Sequence, residues 1–179
     1  MVPFARLSAF VAVVGGLTLS ALPAREPILG PGVSRELARQ RAALITGVRY
    51  DLRLSVVARD TARGSVTVRF LTKRSADVVL DFRGPSLTKI AVNGSPARGT
   101  FNGAHLRLPA SEIQRGENVV TADFTTPIAA AGASIIRFHD DKDGSDYLYT
   151  LLVPSDANLL FPCFDQPDLK AKLSLSLTV

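Results

Sequence analysis

Between residues 48 and 56 apolar and polar side chains alternate strictly: Val48, Tyr50, Leu52, Leu54 and Val56 are separated by Arg49, Asp51, Arg53 and Ser55. Successive side chains of an extended chain point to opposite faces, so this period of two predicts a strand with one buried and one wet face. The same period runs through Val66, Val68 and Phe70, and through Val78, Leu80 and Phe82, with Asp77 and Asp81 on the polar side. Further strands are predicted over residues 87–92, 105–108, 119–125, 134–138, 147–153 and 173–179. Turn-forming pairs separate them: Arg63-Gly64, Asn93-Gly94, Asn102-Gly103, Arg115-Gly116 and Asp143-Gly144, where glycine or asparagine tolerates backbone that other residues resist. Many short strands with hairpin-type turns predict an all-β fold, an antiparallel saddle or sandwich. One short helix precedes it. Ser34 suits an N-cap, and Leu37, Ala38 and Arg41 to Leu44 carry the helix toward an end near Gly47.

The first residues follow a different logic. One positive charge at Arg6, an apolar stretch from Leu7 to Leu22 and the small Ala24 ahead of Arg25 and Glu26 form a secretory signal pattern over residues 1–24. Cutting after Ala24 places Leu22 where a small residue is preferred, so an uncleaved amino-terminal membrane anchor is the alternative. The apolar stretch falls short of the roughly 20 residues of a spanning helix, and no stable membrane span is expected. Either reading puts the remainder outside the cytoplasm, in the periplasm or the extracellular space. Residues 25–33 hold Pro27, Gly30, Pro31 and Gly32 and read as a linker, leaving 34–179 as one domain. Leu173, Leu175, Leu177 and Val179 alternate with Ser174, Ser176 and Thr178 to the last residue. A C-terminally truncated domain is expected, its last strand lacking a partner and tending to aggregate.

Composition narrows the function classes. The 21 Lys and Arg against 16 Asp and Glu give a net charge of +5, but the signs are interleaved rather than blocked, which argues against nucleic acid. Cys163 is the single cysteine, so no intramolecular disulfide can form. Between Pro162 and Phe164 it reads as a small packing group rather than a nucleophile. His105 and His139 read as surface or strand-end histidines. Asp140, Asp141, Asp143 and Asp146 surround Gly144, but counting from Asp141 puts Asp146 where the helix-loop-helix calcium pattern needs glycine and Leu152 where it needs glutamate. A solvated turn is the reading, and no metal is assigned to this chain. A sugar-binding sandwich is disfavoured because the chain lacks Trp and only 7% of its residues are aromatic, leaving little to stack a pyranose.

The segment Phe161-Pro162-Cys163-Phe164-Asp165-Gln166-Pro167-Asp168-Leu169-Lys170-Ala171 resembles the Phe-Pro-Cys-Phe-Asp-Glu-Pro stretch, followed by Lys-Ala, of aminopeptidase N-type zinc metallopeptidases. Asp143-Gly144, then Tyr147-Leu148-Tyr149-Thr150 and Asp156-Ala157, fall at the spacing that family shows upstream. The resemblance implies a saddle-shaped β domain that packs on a thermolysin-like catalytic domain and closes one side of its substrate cavity. It departs at Leu151, where many members have a Gln that contributes to the substrate pocket, and at Asn158, where an Arg usually follows Asp-Ala and its possible ion pair is lost. Gln166 replaces the commoner Glu. Leu151, Val153, Pro154 and Ser155 are the residues expected on the substrate-pocket side. Phe161, Pro162, Cys163, Asp165, Pro167 and Lys170 are expected to form a rigid corner that holds the 151–155 loop toward the catalytic domain.

Such an enzyme binds zinc through two His one helical turn apart, with Glu beside the first taking a proton from the bound water. His105 and His139 lie far apart and neither precedes Glu. The family's amine-reading motif needs an internal Met, and Met1 is the only methionine. The expectation is therefore a non-catalytic amino-terminal portion of a zinc aminopeptidase. Zinc and peptide substrate would be met through the catalytic domain this chain lacks. The alternative is a free-standing secreted β-sandwich that binds a partner without catalysis.

Overall fold

The computed structural model describes residues 29–179, so the expected signal at 1–24 lies outside the described residues. In chain order the elements are α1 (Arg35–Leu44), β1 (Ile45–Ser55), β2 (Thr61–Thr72), β3 (Val78–Asp81), β4 (Ser86–Val92), β5 (Ser95–Pro96), β6 (Thr100–Phe101) and β7 (His105–Leu108). A 3-10 turn at Ala110–Glu112 leads into β8 (Gly116–Ala129), β9 (Ile135–Asp140), β10 (Ser145–Thr150), the one-turn helix α2 (Ala157–Leu160) and β11 (Ala171–Thr178). No helix among the described residues is long and apolar enough to cross a membrane.

Ser34 caps α1 as its sequence suggests, its Oγ accepting the Leu37 N–H at 3.1 Å. The helix buries Leu37, Arg41 and Leu44, one stripe at helical spacing. It stops at Leu44 rather than near Gly47, because Ile45 is already extended and buried as the first residue of β1. Gly47, at φ +63°, sits where the β1–β2 register slips between Thr46 and Arg49. A bulge there needs a left-handed residue, and glycine adopts that backbone without a Cβ clash.

The strands build the β protein that the alternation predicts. The large eight-stranded sheet runs β10-β9-β8-β2-β1-β11, with β4 hydrogen-bonded to β8 and β5 to β4. A smaller sheet, β3-β7-β6, lies against its apolar face. Their shared core includes Phe70, Leu80, Phe82, Leu106, Leu108 and Val120, all essentially without solvent contact. Each such side chain contributes about 1.5–3 kcal/mol by leaving water. Asn93 and Gly94, at φ +51° and +83°, make the two-residue turn between β4 and β5 that Asn-Gly favours.

Two pairings are parallel, β1 with β11 and β8 with β9, so the large sheet is mixed. The last strand is not orphaned: β11 pairs with β1 from Val48↔Ala171 to Ser55↔Thr178. Paired residues share a face, so Leu173, Leu175 and Leu177 continue the row of Tyr50, Leu52 and Leu54. The β1 residues are buried, while the three leucines remain exposed.

Candidate functional site

β3 is buried at all four positions, so Asp81 is not on a wet face as the alternation predicts. It is the centre of a charge cluster. Arg41 reaches it from α1 with both terminal nitrogens, Nη2 to Oδ1 at 2.6 Å and Nη1 to Oδ2 at 2.8 Å. His105, the first residue of β7, places Nδ1 2.9 Å from Asp81 Oδ1 and Nε2 2.7 Å from the Gly30 carbonyl. Both imidazole nitrogens thus face acceptors, which requires the doubly protonated ring. His105 is only 1% exposed, which corrects the surface reading of its sequence position. Burial pushes the Asp81 carboxyl up, but the His105 and Arg41 hydrogen bonds outweigh it and hold the group below the usual range. The hydrogen bond to Asp81 raises the His105 pKa against the opposing effect of burial, and the Gly30 carbonyl adds to the rise.

The 161–166 segment is bound to this cluster. Asp81 and Cys163 exchange both backbone hydrogen bonds, at 2.7 and 3.0 Å, and the Asp165 N–H donates to Asp81 Oδ2 at 2.9 Å. The Phe164 N–H donates to the Tyr50 hydroxyl at 2.8 Å. Burial above all, then the neighbouring Cys163, raises the Tyr50 pKa far beyond the ordinary phenol value. Gln166 Nε2 donates to the Ala38 carbonyl of α1 at 2.9 Å, and the Arg41 guanidinium lies 5.6 Å from the Phe164 ring centroid. Phe161, Pro162, Cys163 and Phe164 are buried and Asp165 is half-buried, whereas Pro167 and Lys170 are exposed.

Asn158, in α2, carries the corner toward the loop before it. Its Nδ2 donates to Asp165 Oδ2 at 2.6 Å and to the Ser155 carbonyl at 3.2 Å, and its Oδ1 accepts from Arg83 Nε. Arg83 also pairs with Asp156 at 2.9 Å. A positive charge therefore reaches this loop from the end of β3, although position 158 is not itself charged. Beside the corner, Arg83, Ser155, Asp165 and Gln166 line part of an open cleft of about 470 Å³.

The candidate pocket residues lie together on the surface. β10 ends at Thr150, earlier than the alternation to 153 suggests, and the chain turns through Leu151, Val153, Pro154 and Ser155. Leu151 is 58% and Val153 76% exposed. Phe138, Tyr147 and Tyr149 on the β9–β10 hairpin are about half exposed as well, so an apolar lip projects next to the corner.

The Cys163 thiol is held in its protonated form, pushed up by burial first and by Asp165 and Asp81 after it. His139 is exposed and lies 2.9 Å from Asp146 across the β9–β10 pairing. No three His, Cys, Asp or Glu among the described residues gather as a metal site, and both His105 nitrogens are already engaged, so the described residues do not fit zinc.

The described residues thus form a mixed β fold with a buried Asp-centred corner and an exposed apolar lip. Residues 47–179 match the peptidase M1 N-terminal domain, and the chain belongs to that family. It is 31% identical over 148 residues to aminopeptidase N of Streptomyces lividans, covering 79% of this chain and 17% of that protein. Leukotriene A4 hydrolase of Saccharomyces cerevisiae superposes with a TM-score of 0.64 at 22% identity, covering 75% of this chain and 23% of the other. An M1 zinc metallopeptidase of Deinococcus radiodurans does so with a TM-score of 0.55 at 20% identity, over 75% of this chain and 32% of the other. These two share the fold. The chain thus spans a third or less of each of these three relatives.

Proposed function

We propose that this chain is the non-catalytic amino-terminal portion of an exported zinc-dependent aminopeptidase, and that its lip closes one side of the cavity in which amino-terminal residues are removed from peptides. The observation that carries the reading is the lip itself. Phe138 and Tyr147 stand opposite each other on the β9–β10 hairpin, Tyr149, Leu151 and Val153 follow in the chain, and all five are exposed; exposed apolar side chains gathered in one region mark a contact site. Zinc, bound by the catalytic portion, would activate the water that attacks the peptide bond. The residues here would shape and dry the entrance. Export to the periplasm or extracellular space rests on the signal pattern at residues 1–24.

The test uses the full-length gene product and a panel of aminoacyl arylamides. Leu151→Gln should change the ratio of kcat/KM between apolar and polar amino-terminal residues, and an unchanged profile would sink the lip assignment. The purified 179-residue chain should release no amine from the same panel with zinc added; turnover by it would end the non-catalytic reading.

A further inference from the structure

The face of the large sheet turned away from the core carries an imbalance of charge. Lys172, Arg49, Arg53, Arg63, Arg69 and Lys89 lie on it, against Asp51, Asp123 and Glu117. Arg69 pairs with Asp51 at 3.7 Å and Lys89 with Asp123 at 2.8 Å. Arg49, Arg53, Arg63 and Lys172 have no carboxylate partner among the described residues. Two like-charge contacts are built into the register: Arg49 sits directly opposite Arg69 on one side and Lys172 on the other. Cross-strand side chains in that relation stand about 5 Å apart, and like charges there oppose pairing. The sheet keeps a cationic row that its own carboxylates do not neutralise.

Four residues further along β1, at about 3.3 Å per residue, Arg53 and Arg63 border a shallow groove of about 590 Å³. Ser55, Ser65, Ser86, Thr125, Ser176 and Thr178 supply hydroxyls along it. The geometry points to a docking surface for an acidic polysaccharide, a linear chain of sulfate- or carboxylate-bearing sugars laid across the strands. The arginines meet its anions and the serine and threonine hydroxyls meet its sugar hydroxyls. Recognition runs on charge and hydrogen bonding, so the tryptophan that stacks neutral pyranoses is not required. Nucleic acid fits less well, because the exposed Phe138, Tyr147 and Tyr149 lie on the β9–β10 hairpin and not in the groove, whose one ring, Phe124, is buried and does not offer its face to a base. A flat bilayer does not follow a groove, and an added peptide strand would join the sheet's edge rather than cross its face.

A fluorescent heparin oligosaccharide titrated into the 179-residue chain serves as the sulfated probe. Saturable binding that weakens as salt is raised is expected. Arg49→Ser, Arg53→Ser and Arg63→Ser combined should lower affinity about tenfold or more, and Arg63→Ser alone about two- to threefold. The control Lys73→Gln with Arg74→Gln, which removes charge beside α1, should bind as the parent does. Equal loss in the control, or none in the triple variant, would overturn the proposal. So would tighter binding of polyglutamate, anionic vesicles or single-stranded DNA than of heparin.

Discussion

The corner at 161–166 and the lip at 151–155 are neighbours in sequence and opposites in construction. The corner is tied to distant parts of the chain: Asp81 is joined by Arg41 from 40 residues away and by the Asp165 N–H from 84, and Tyr50 holds Phe164 from 114. The lip carries exposed side chains on a turn whose Leu151 N–H bonds the Ser134 carbonyl and whose far end is held through Asn158. A buried charge cluster fixes position at the expense of tolerance, because removing one member strands the others. An exposed apolar turn tolerates change and leaves its contacts to whatever covers it.

Substitutions should separate the two regions. The largest effect is expected for Asp81→Ala, which leaves Arg41 and His105 buried without their counter-charge and should lower unfolding free energy by about 3–5 kcal/mol. Urea denaturation reads this directly, and a loss near that of a surface change would contradict the hub role. Tyr50→Phe removes the acceptor of a buried N–H and should cost about 1–2 kcal/mol in the same assay.

The pH dependence has two limbs. His105 is raised in the folded state, so its contribution is complete below its ordinary pKa near 6.5 and is lost as pH rises through the native value. Asp81 is lowered, so its contribution is complete above its ordinary value near 3.8 and is lost as pH falls through the native one. Stability from this pair should therefore peak between about pH 4 and 6.5. His105→Gln should flatten the alkaline limb of the stability profile and shrink the acid limb, since Asp81 loses one of the hydrogen bonds that lower it; an unaltered alkaline limb would remove His105 from the cluster's energetics. The smallest effect belongs to the lip, where Leu151→Gln and Val153→Ser should stay within about 0.5 kcal/mol of the parent. A larger drop in thermal unfolding would show that the lip is packed after all.

Much of this architecture is legible in the sequence. Alternation located the strands because each long strand has one wet face. The hub was not legible, because Asp81 completes an alternating pattern while β3 is covered on both faces. Periodicity assigns a side to each residue and is silent on whether a second layer covers that side. One clue was available. Arg41 lies four residues after Leu37 and three before Leu44, on the apolar stripe of α1, and a cation placed there needs a buried partner. His105 offered no comparable sign, since its partners, Asp81 and the Gly30 carbonyl, are 24 and 75 residues away.

The parallel alliance of β1 with β11 also sets an order of events during synthesis. Phe164, which Tyr50 holds and which precedes β11 in the chain, emerges 114 residues after Tyr50. At about 5–20 residues per second the ribosome takes roughly 6–23 s to deliver it. Through that interval β1 presents a bare strand edge to every other nascent chain nearby, so a vulnerable moment of this fold falls before β11 is made.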